Sequence, residues 1–278
     1  MDRRRRRGSQ SRSEERDAFG GHWYDPSGRP CHSVPVADGG HRPTRLDDAR
    51  ALGLYPSVTS IQKLIAKPGL ENWKLKQVAL AAARLNRNPG EGEDSFAHRI
   101  FEAGFEKSGS ARNLGSSIHR ALERFWLGQT EVPVELQTYC MPAVALLQRL
   151  VAEVLATETI LVNHRHGFAG TVDLCVRTRM GNVAVLDYKA RKTEPGKPVI
   201  WYDEHVQQVA AYAATAFAEE NLSKVHAANI LISTTEPGRV EVKHYTPGEL
   251  MQAFENFTLI CELWRRVNHY DPRQNPRT

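Results

Sequence analysis

The stretch Val183-Ala-Val-Leu-Asp187-Tyr-Lys189 is the part of the sequence that decides the fold. Four apolar residues lead into a carboxylate and, two positions later, an ammonium group. Successive side chains of a β-strand point to opposite faces, so Asp187 and Lys189 share one face with Val185. A charged pair on an otherwise apolar strand is costly unless the charges pair with each other or bind a metal ion. The stretch therefore predicts a buried strand that ends in a functional or structural pair of charges.

A second acid interrupts an apolar strand just upstream. The run Gly170-Thr-Val-Asp173-Leu-Cys-Val176 contains β-branched residues, which favour strands. Gly181-Asn182 follows it in the way that a hairpin turn would. If the two strands pair, Asp173 and Asp187 can converge on one cation.

The segments around this hairpin predict an α/β fold. Short runs rich in β-branched residues alternate with longer segments of helical periodicity. The predicted strands are 159–163, 168–177, 182–190, 228–234 and 240–245. The predicted helices are one that begins after Ser57, then 70–85, 95–107, 115–128, 134–156, 203–222 and 247–267. This order indicates a sheet covered by helices, with a helical addition at the amino end.

Two carboxylates and a lysine suit metal-assisted hydrolysis of a phosphodiester. Oxygen ligands favour Mg²⁺ or Mn²⁺, which keep several waters and bind substrate phosphates. The metal neutralises the phosphate and lowers the pKa of a bound water, while a lysine can orient that water or stabilise developing charge. The alternative is structural: Asp187 and Lys189 form a salt bridge and Asp173 caps a turn, because an acid two residues before a lysine is common by chance.

Three further polar features surround the two acids. His119 lies four residues before Glu123, so both share a helix face. Glu158 stands at the start of the first predicted strand. Gln208 and Tyr212 again have helical spacing, on the helix that follows the decisive strand. Each of these residues, taken alone, is also compatible with a structural role in packing or helix termination.

In combination these residues resemble the RecB-like branch of the PD-(D/E)xK nuclease superfamily. That branch has a helix histidine, an acid before the sheet, a G-x-x-D strand, a D/E-x-K strand and a Q-x-x-x-Y helix, in this order. The sequence contains them as His119, Glu158, Gly170-Thr-Val-Asp173, Asp187-Tyr-Lys189 and Gln208-Val-Ala-Ala-Tyr212. The resemblance covers about residues 110–215. It implies a restriction-endonuclease-like core, in which helices flank a central mixed β-sheet.

The resemblance also implies a role for each residue of the catalytic set. Lys189 would activate or position the attacking water, and Glu158 would orient a ligand or a metal-bound water. The cofactor would be Mg²⁺, for which Mn²⁺ would substitute. The implied metal ligands are Asp173, Asp187, the carbonyl of Tyr188 and His119.

The residues implied to contact DNA come from two parts of the chain. Gln208 and Tyr212 would contact the DNA backbone or brace the site. Upstream, Pro56-Ser-Val-Thr-Ser-Ile61 and Pro68-Gly-Leu-Glu-Asn-Trp73 are similar to the exonucleases grouped with the mitochondrial genome maintenance exonuclease and its phage and bacterial relatives. The hydroxyls of Ser57 and Thr59 could bind a phosphate, and Trp73 could stack on a base of a single strand. A surface helix with an apolar anchor is the structural alternative for this segment.

Composition and charge narrow the function classes further. The 278 residues carry a formal net charge of +5, of which residues 1–17 contribute +3 (seven arginines against four acids), so the remainder is nearly neutral. The four cysteines are far apart in the sequence, so neither an iron–sulfur cluster nor a zinc site is expected. No apolar run is long enough to span a membrane. The first residues lack the apolar segment of a secretory signal, which favours a cytoplasmic location in a bacterial cell or a phage-infected host.

The expected organisation has four segments. A disordered basic tail occupies 1–20, and an irregular arm with a helical region occupies 21–109. The nuclease core then spans 110–270, and a flexible tail spans 271–278.

The function expected from the residues and the resemblance is that of a divalent-metal-dependent DNA exonuclease. Its substrate would be single-stranded DNA or free DNA ends, a recombination or replication complex is the expected protein partner, and no membrane partner is expected. One alternative is a structure-specific or RNA-directed endonuclease. The other is a non-catalytic nucleic-acid-binding factor on the same fold.

Overall fold

The computed structural model describes residues 21–37, 39–129 and 131–274, without the side chains of residues 106–112. The predicted basic tail, 1–20, and the end of the predicted carboxyl tail, 275–278, lie outside the described residues. In the part of the chain that is described, no helix is both long and apolar enough to cross a membrane.

Residues 21–57 form an arm of short elements that packs against the rest of the chain. Two antiparallel pairs and one short helix build it, and a bridge from Ser57 to Ala169 joins it to the main sheet. Its buried anchors are Trp23 and Tyr55. The elements are β1 (Trp23–Tyr24), β2 (Ser33–Pro35), β3 (His41–Pro43), α1 (Leu46–Leu52) and β4 (Tyr55–Pro56).

Two helical segments follow the arm. The short helix α2 (Val58–Gln62) begins at Ser57, as predicted, because the Ser57 hydroxyl accepts a hydrogen bond from the amide of Ser60 at 3.0 Å. A longer helix, α3 (Pro68–Ala82), then packs against the first half of α4 (Glu93–Trp126).

Helix α4 corrects the prediction of two separate helices in this part of the chain. The two helices predicted at 95–107 and 115–128 are one continuous helix. Gly115, at which the second helix was predicted to begin, lies inside α4, and a Cβ there would lie 3.4 Å from the Cβ of Ala190 on the sheet. The predicted boundary between residues 109 and 110 therefore falls inside a helix that is shared by the helical region and the core.

The next element, α5 (Val134–Leu150), is shorter than predicted. The helix predicted over 134–156 ends at Leu150, and the strand predicted to begin at 159 already begins at Val151. Register shifts between Val151 and Glu153, and between Val154 and Ala156, interrupt the pairing. Such bulges interrupt the strict alternation of side chains along a strand. Val151 and Val154 are therefore three positions apart, which is also the spacing of apolar residues on one face of a helix.

A five-stranded mixed sheet forms the centre of the fold, as predicted. Its order is β5-β6-β7-β8-β9, and only the β7–β8 pair is parallel among the described strands. Helix α6 makes the crossover between those two strands, which a parallel pair requires. The elements are β5 (Val151–Asn163), β6 (Phe168–Thr178), β7 (Val183–Arg191), α6 (Asp203–Phe217), β8 (Val225–Ser233), β9 (Val240–Tyr245) and α7 (Pro247–Asn268).

Helix α6 also ends earlier than predicted. Ala218 has a φ of +66°, in the left-handed region, and a 3₁₀ turn at Glu219–Lys224 replaces the last turn of the helix predicted to reach 222. Helices cover both faces of the sheet. The α6 and α7 side shares a core with Val185 and Trp23, and the α4 and α5 side shares one with Leu186 and Ile118. The side of β7 that carries Asp187 and Lys189 is therefore the α6 side.

Candidate active site

A cavity of about 700 Å³ lies where the middle of the sheet meets α4, α6 and the arm. Most of the predicted site residues line it: Ser57, Thr59, His119, Glu158, Asp173, Tyr188, Lys189, Gln208 and Tyr212. Asp187 is 2% exposed and contacts Lys189. Trp73 lies on α3, with its ring centroid 6.1 Å from that of Phe105, and does not line the cavity.

Three ligand-type side chains converge on one side of the cavity. His119, Glu158 and Asp173 each offer one ligand atom, and these atoms all lie within 4.8 Å of one another. They come from α4, β5 and β6, so the fold itself assembles the group. The Asp173 Oδ2 atom also accepts a hydrogen bond from the Tyr188 amide at 2.7 Å and lies 3.5 Å from His119 Nδ1. We call these three residues the Asp173 cluster.

The charges of the Asp173 cluster shift one another's pKa. Burial and the neighbouring Asp173 carboxylate raise the pKa of Glu158 to about 7. Burial alone would lower the pKa of His119, but the hydrogen bond and the negative charge of Asp173 outweigh it, so that pKa is raised. Both shifts show that the cluster concentrates negative charge, which a cation would offset.

Glu158 also has an unusual backbone conformation. Its φ is +43° within strand β5, in the left-handed region that side-chain-bearing residues rarely adopt. A conformation of this kind costs about 1–3 kcal/mol and persists where the surroundings impose it. It places the side chain in the cavity beside Asp173, on the facing strand β6.

The second acid, Asp187, belongs to a different arrangement. Its Oδ2 atom accepts hydrogen bonds from Lys189 Nζ and from Asn229 Nδ2, both at 2.7 Å. Asn229 Oδ1 in turn accepts a hydrogen bond from the Tyr245 hydroxyl at 2.9 Å. Burial raises the pKa of Asp187, and the Lys189 ammonium opposes that shift. We call Asp187, Lys189, Asn229 and Tyr245 the Asp187 network.

Helix α6 fixes Lys189 from the other side. Lys189 Nζ donates to Gln208 Oε1 at 2.7 Å, and Gln208 Nε2 donates to the Tyr212 hydroxyl at 3.3 Å. Tyr212 packs directly on Gly170, where a Cβ would lie 2.8 Å from the ring. Gly170 is therefore a close-approach position, which gives a physical reason for the glycine three residues before Asp173.

The amino-terminal residues predicted to contact DNA lie in two places. Ser57 and Thr59 line the cavity, and their hydroxyl oxygens are 3.1 Å apart. The arm contributes further lining residues that the sequence gave no reason to select, namely His22, Tyr24 and His32. The Tyr24 hydroxyl lies 3.3 Å from Thr171 Oγ1. This contact joins residues 147 positions apart, so no local pattern marks it.

Sequence reasoning also missed Asn229 and Arg191. Asn229 is fully buried in the apolar strand β8, and a single amide within such a strand is the signal that could have found it. Arg191 lines the cavity and continues the side of β7 that carries Asp187 and Lys189.

The Asp173 cluster fits a divalent cation chemically. Carboxylate oxygens are the preferred ligands of Mg²⁺ and Mn²⁺, and an imidazole widens the choice toward transition metals. Burial and the nearby Asp173 carboxylate raise the pKa of Glu158, and a bound cation would offset both effects. Lys189 is the ammonium group that lines the same cavity.

Comparisons with known proteins identify the family of the chain. No curated protein sequence matches the chain. Among solved structures, a candidate exonuclease from Eubacterium rectale is similar, with 15% identity, a TM-score of 0.38, and coverage of 60% of this chain and 73% of that chain. The protein SSO0001 is similar with 14% identity, a TM-score of 0.29, and coverage of 70% and 87%. The sequence motifs predicted a resemblance to the PD-(D/E)xK nuclease superfamily. Residues 95–277 match the sequence model of that superfamily, and the chain therefore belongs to it.

Proposed function

We propose that this nuclease is a divalent-metal-dependent DNA exonuclease of the RecB-like branch, which uses Mg²⁺ or Mn²⁺ and acts on single strands or free ends. The observation that carries the proposal is the convergence of the Asp173 cluster beside Lys189 in one cavity. The motifs at 56–61 and 68–73, which are similar to exonucleases, support digestion from ends. A bacterial or phage-infected cytoplasm, and a recombination or replication complex, are the setting that we propose.

Metal binding falls to residues of the Asp173 cluster. His119, Glu158 and Asp173 would hold the ion, and the resemblance adds Asp187 and the carbonyl of Tyr188. The bound ion would neutralise the scissile phosphate and lower the pKa of a water. The hydrogen bond from the Tyr188 amide holds Asp173 in its orientation, and ordered ligands of this kind reduce the reorganisation that binding requires.

Lys189 supplies the fixed positive charge of the site. Its ammonium group has Asp187 and Gln208 as partners on two sides, at 2.7 Å each. Held in this way, it can orient the attacking water or stabilise the charge that develops on the phosphate. Gln208 and Tyr212 brace the lysine, so they are positioning residues in this proposal.

Two DNA substrates test the proposal directly. Purified protein should degrade linear single-stranded DNA with Mg²⁺, and a chelator should stop it. Closed circular single strands should resist, because they offer no ends. Activity that persists in chelator would refute the metal mechanism, whereas rapid cutting of circles would favour an endonuclease. DNA binding without any cleavage would favour the non-catalytic alternative. An Asp173→Asn variant, with the metal site altered, controls for a contaminating nuclease.

A further inference from the structure

We propose that Arg191 and Tyr202 form a nucleotide subsite next to the metal site. The Arg191 guanidinium binds the phosphodiester adjacent to the scissile one, and the Tyr202 ring stacks on the base of that nucleotide. The inference rests on the proposed function, because it assigns Arg191, which lines the same cavity, and the neighbouring Tyr202 to the same nucleic-acid substrate.

The register of β7 places Arg191 in line with the reactive side chains. Asp187, Lys189 and Arg191 alternate along one side of the strand. Steps of two residues in a strand cover about 6.6 Å, which is comparable to the distance between consecutive phosphates of an extended nucleic-acid strand. Lys189 and Arg191 both line the cavity. A nucleic-acid strand whose scissile phosphate lies beside Lys189 therefore brings its next phosphate toward Arg191.

The charge of Arg191 is not neutralised within the protein. Its Nη2 atom donates to the carbonyl oxygen of Ile200 at 3.1 Å, and its Nη1 atom is buried without a hydrogen-bond partner. No carboxylate lies within 4 Å of it in the described part of the chain. Arg177, in contrast, pairs with Glu153 at 3.1 Å. A guanidinium that lines the cavity without a carboxylate partner and with one unsatisfied donor is suited to the negative charge of a phosphate.

Tyr202 gives the subsite an aromatic surface. The Arg191 Cζ atom lies 5.0 Å from the centroid of the Tyr202 ring, which fixes the guanidinium by a cation–π contact. His205 packs edge-on against the same ring, with centroids 5.5 Å apart. Tyr202 is nevertheless 46% exposed, so a fixed ring remains available to a base. Stacking of a base on an aromatic side chain is sequence-tolerant, as a nuclease substrate requires.

A structural role is the competing explanation for both residues. Arg191 ties the segment 192–202 to the sheet through Ile200 and Tyr202. If that were its whole role, substitution of Arg191 would alter stability but would not change which phosphate of a bound nucleic-acid strand contributes to the affinity. The experiment must therefore read out contacts to single nucleotides.

The test measures binding of a fluorescent single-stranded oligonucleotide to the full chain by anisotropy, in EDTA, so that no cleavage occurs. Arg191→Gln should weaken binding about tenfold and lower the slope of log Kd against log salt by about 0.7, the value for one phosphate contact on a single strand. Arg191→Lys should keep the slope, since it keeps the charge. Tyr202→Leu should weaken binding about tenfold without changing the slope.

Modified oligonucleotides then locate the contacts. Replacing one linkage at a time with uncharged methylphosphonate should identify a linkage that matters to the wild type and not to Arg191→Gln. Removing one base at a time should identify an adjacent nucleotide that matters to the wild type and not to Tyr202→Leu. Arg177→Gln, which removes a paired surface arginine, is the matched control and should behave as the wild type.

Clear outcomes overturn the inference. If Arg191→Gln keeps the wild-type salt slope and the wild-type methylphosphonate profile, Arg191 only anchors the segment. If the wild type fails to bind in EDTA, the same scans are run with Mg²⁺ in a Lys189→Gln background, and an absence of binding there also overturns the inference. Because these measurements need no turnover, a protein that binds with the expected profile but does not cleave would contradict the proposed function while supporting the subsite.

Discussion

The Asp173 cluster and the Asp187 network each contain one of the two strand acids that the sequence predicts to bind a cation, yet the two carboxylates have different surroundings in the fold. Asp173 lines the cavity beside Glu158 and His119, where burial and the Asp173 carboxylate raise the pKa of Glu158 to about 7. Asp187 is buried, and an ammonium and an amide already bind it. The Asp173 cluster holds two carboxylates against one imidazole, whereas the Asp187 network pairs one carboxylate with one ammonium group. A cation would therefore matter most to the first, and an unfolding measurement should respond most to the second.

The largest effects should come from alanine at each acid. Asp173→Ala and Asp187→Ala should each lower the rate of DNA cleavage by a hundredfold or more, since each removes a preorganised charge from the reaction centre. Their stabilities should differ. Asp187→Ala should lower the free energy of unfolding by about 3 kcal/mol, because the Lys189 ammonium then loses the carboxylate with which it forms a buried ion pair. Asp173→Ala should change it by only about 1 kcal/mol, the usual value of a hydrogen bond.

Single-turnover cleavage and urea unfolding in EDTA measure these two quantities separately. The double variant Asp187→Ala/Lys189→Met should be destabilised by less than the sum of the two single variants, because the pair is already broken in each. Equal destabilisation by Asp173→Ala and Asp187→Ala would contradict the distinction between the cluster and the network.

The next largest effect should appear in the pH dependence of stability, at His205 on α6. Burial, with the positive charges of Lys189 and Arg191, lowers the pKa of His205 to about 4. The folded protein keeps this imidazole neutral, while the unfolded chain binds a proton below about pH 6.5. Its contribution to stability is therefore complete above pH 6.5 and is lost as the pH falls toward 4. Between pH 7 and 5 the loss should be about 2 kcal/mol.

Urea unfolding of the wild type and His205→Gln across pH 5–8 tests this. The difference between the two profiles is the quantity to use, because the raised pKa of Glu158 acts in the opposite direction, with stability lost as the pH rises from about 4.5 to 7. His98→Gln, at an exposed histidine of α4, is the matched control. Parallel profiles for the wild type and His205→Gln would contradict the prediction.

The contrast between the two acids also shows how far the sequence could predict the site. Strand alternation was enough to place Asp187 and Lys189 on one side of β7, and their 2.7 Å contact follows from it. The depth of Asp187 could not be predicted, because its partner Asn229 lies 42 residues away on β8. Likewise, the sheet was predictable from β-branched runs, but the start of β5 was not, since bulges gave it a helical spacing.

A third prediction concerns the brace that holds Lys189. Gly170→Ala places a methyl group 2.8 Å from the Tyr212 ring, so it should lower the free energy of unfolding by about 2 kcal/mol. Displacement of Tyr212 should also slow cleavage about tenfold through Gln208 and Lys189. Urea unfolding and single-turnover rates measure both effects.

Two variants control the Gly170 experiment. Gly69→Ala, on α3, meets open space and should leave stability and cleavage unchanged or slightly raise stability. In the double variant Gly170→Ala/Tyr212→Leu the smaller leucine leaves space for the new methyl group. The double variant should therefore lose less free energy of unfolding than the sum of the losses in the two single variants. Strict additivity would mean that Gly170 acts through something other than Tyr212.

The smallest predicted effect separates stability from function at the far end of the Asp187 network. Tyr245→Phe removes the hydroxyl that donates to Asn229, and Tyr270→Phe removes a buried hydroxyl that donates to the carbonyl oxygens of Ala49 and Leu54, away from the cavity. Each should lower the free energy of unfolding by about 1 kcal/mol. Only Tyr245→Phe should also slow cleavage, by a few-fold, since Asn229 then holds Asp187 less firmly. Equal cleavage by the two variants would show that the network stabilises the sheet without positioning Lys189.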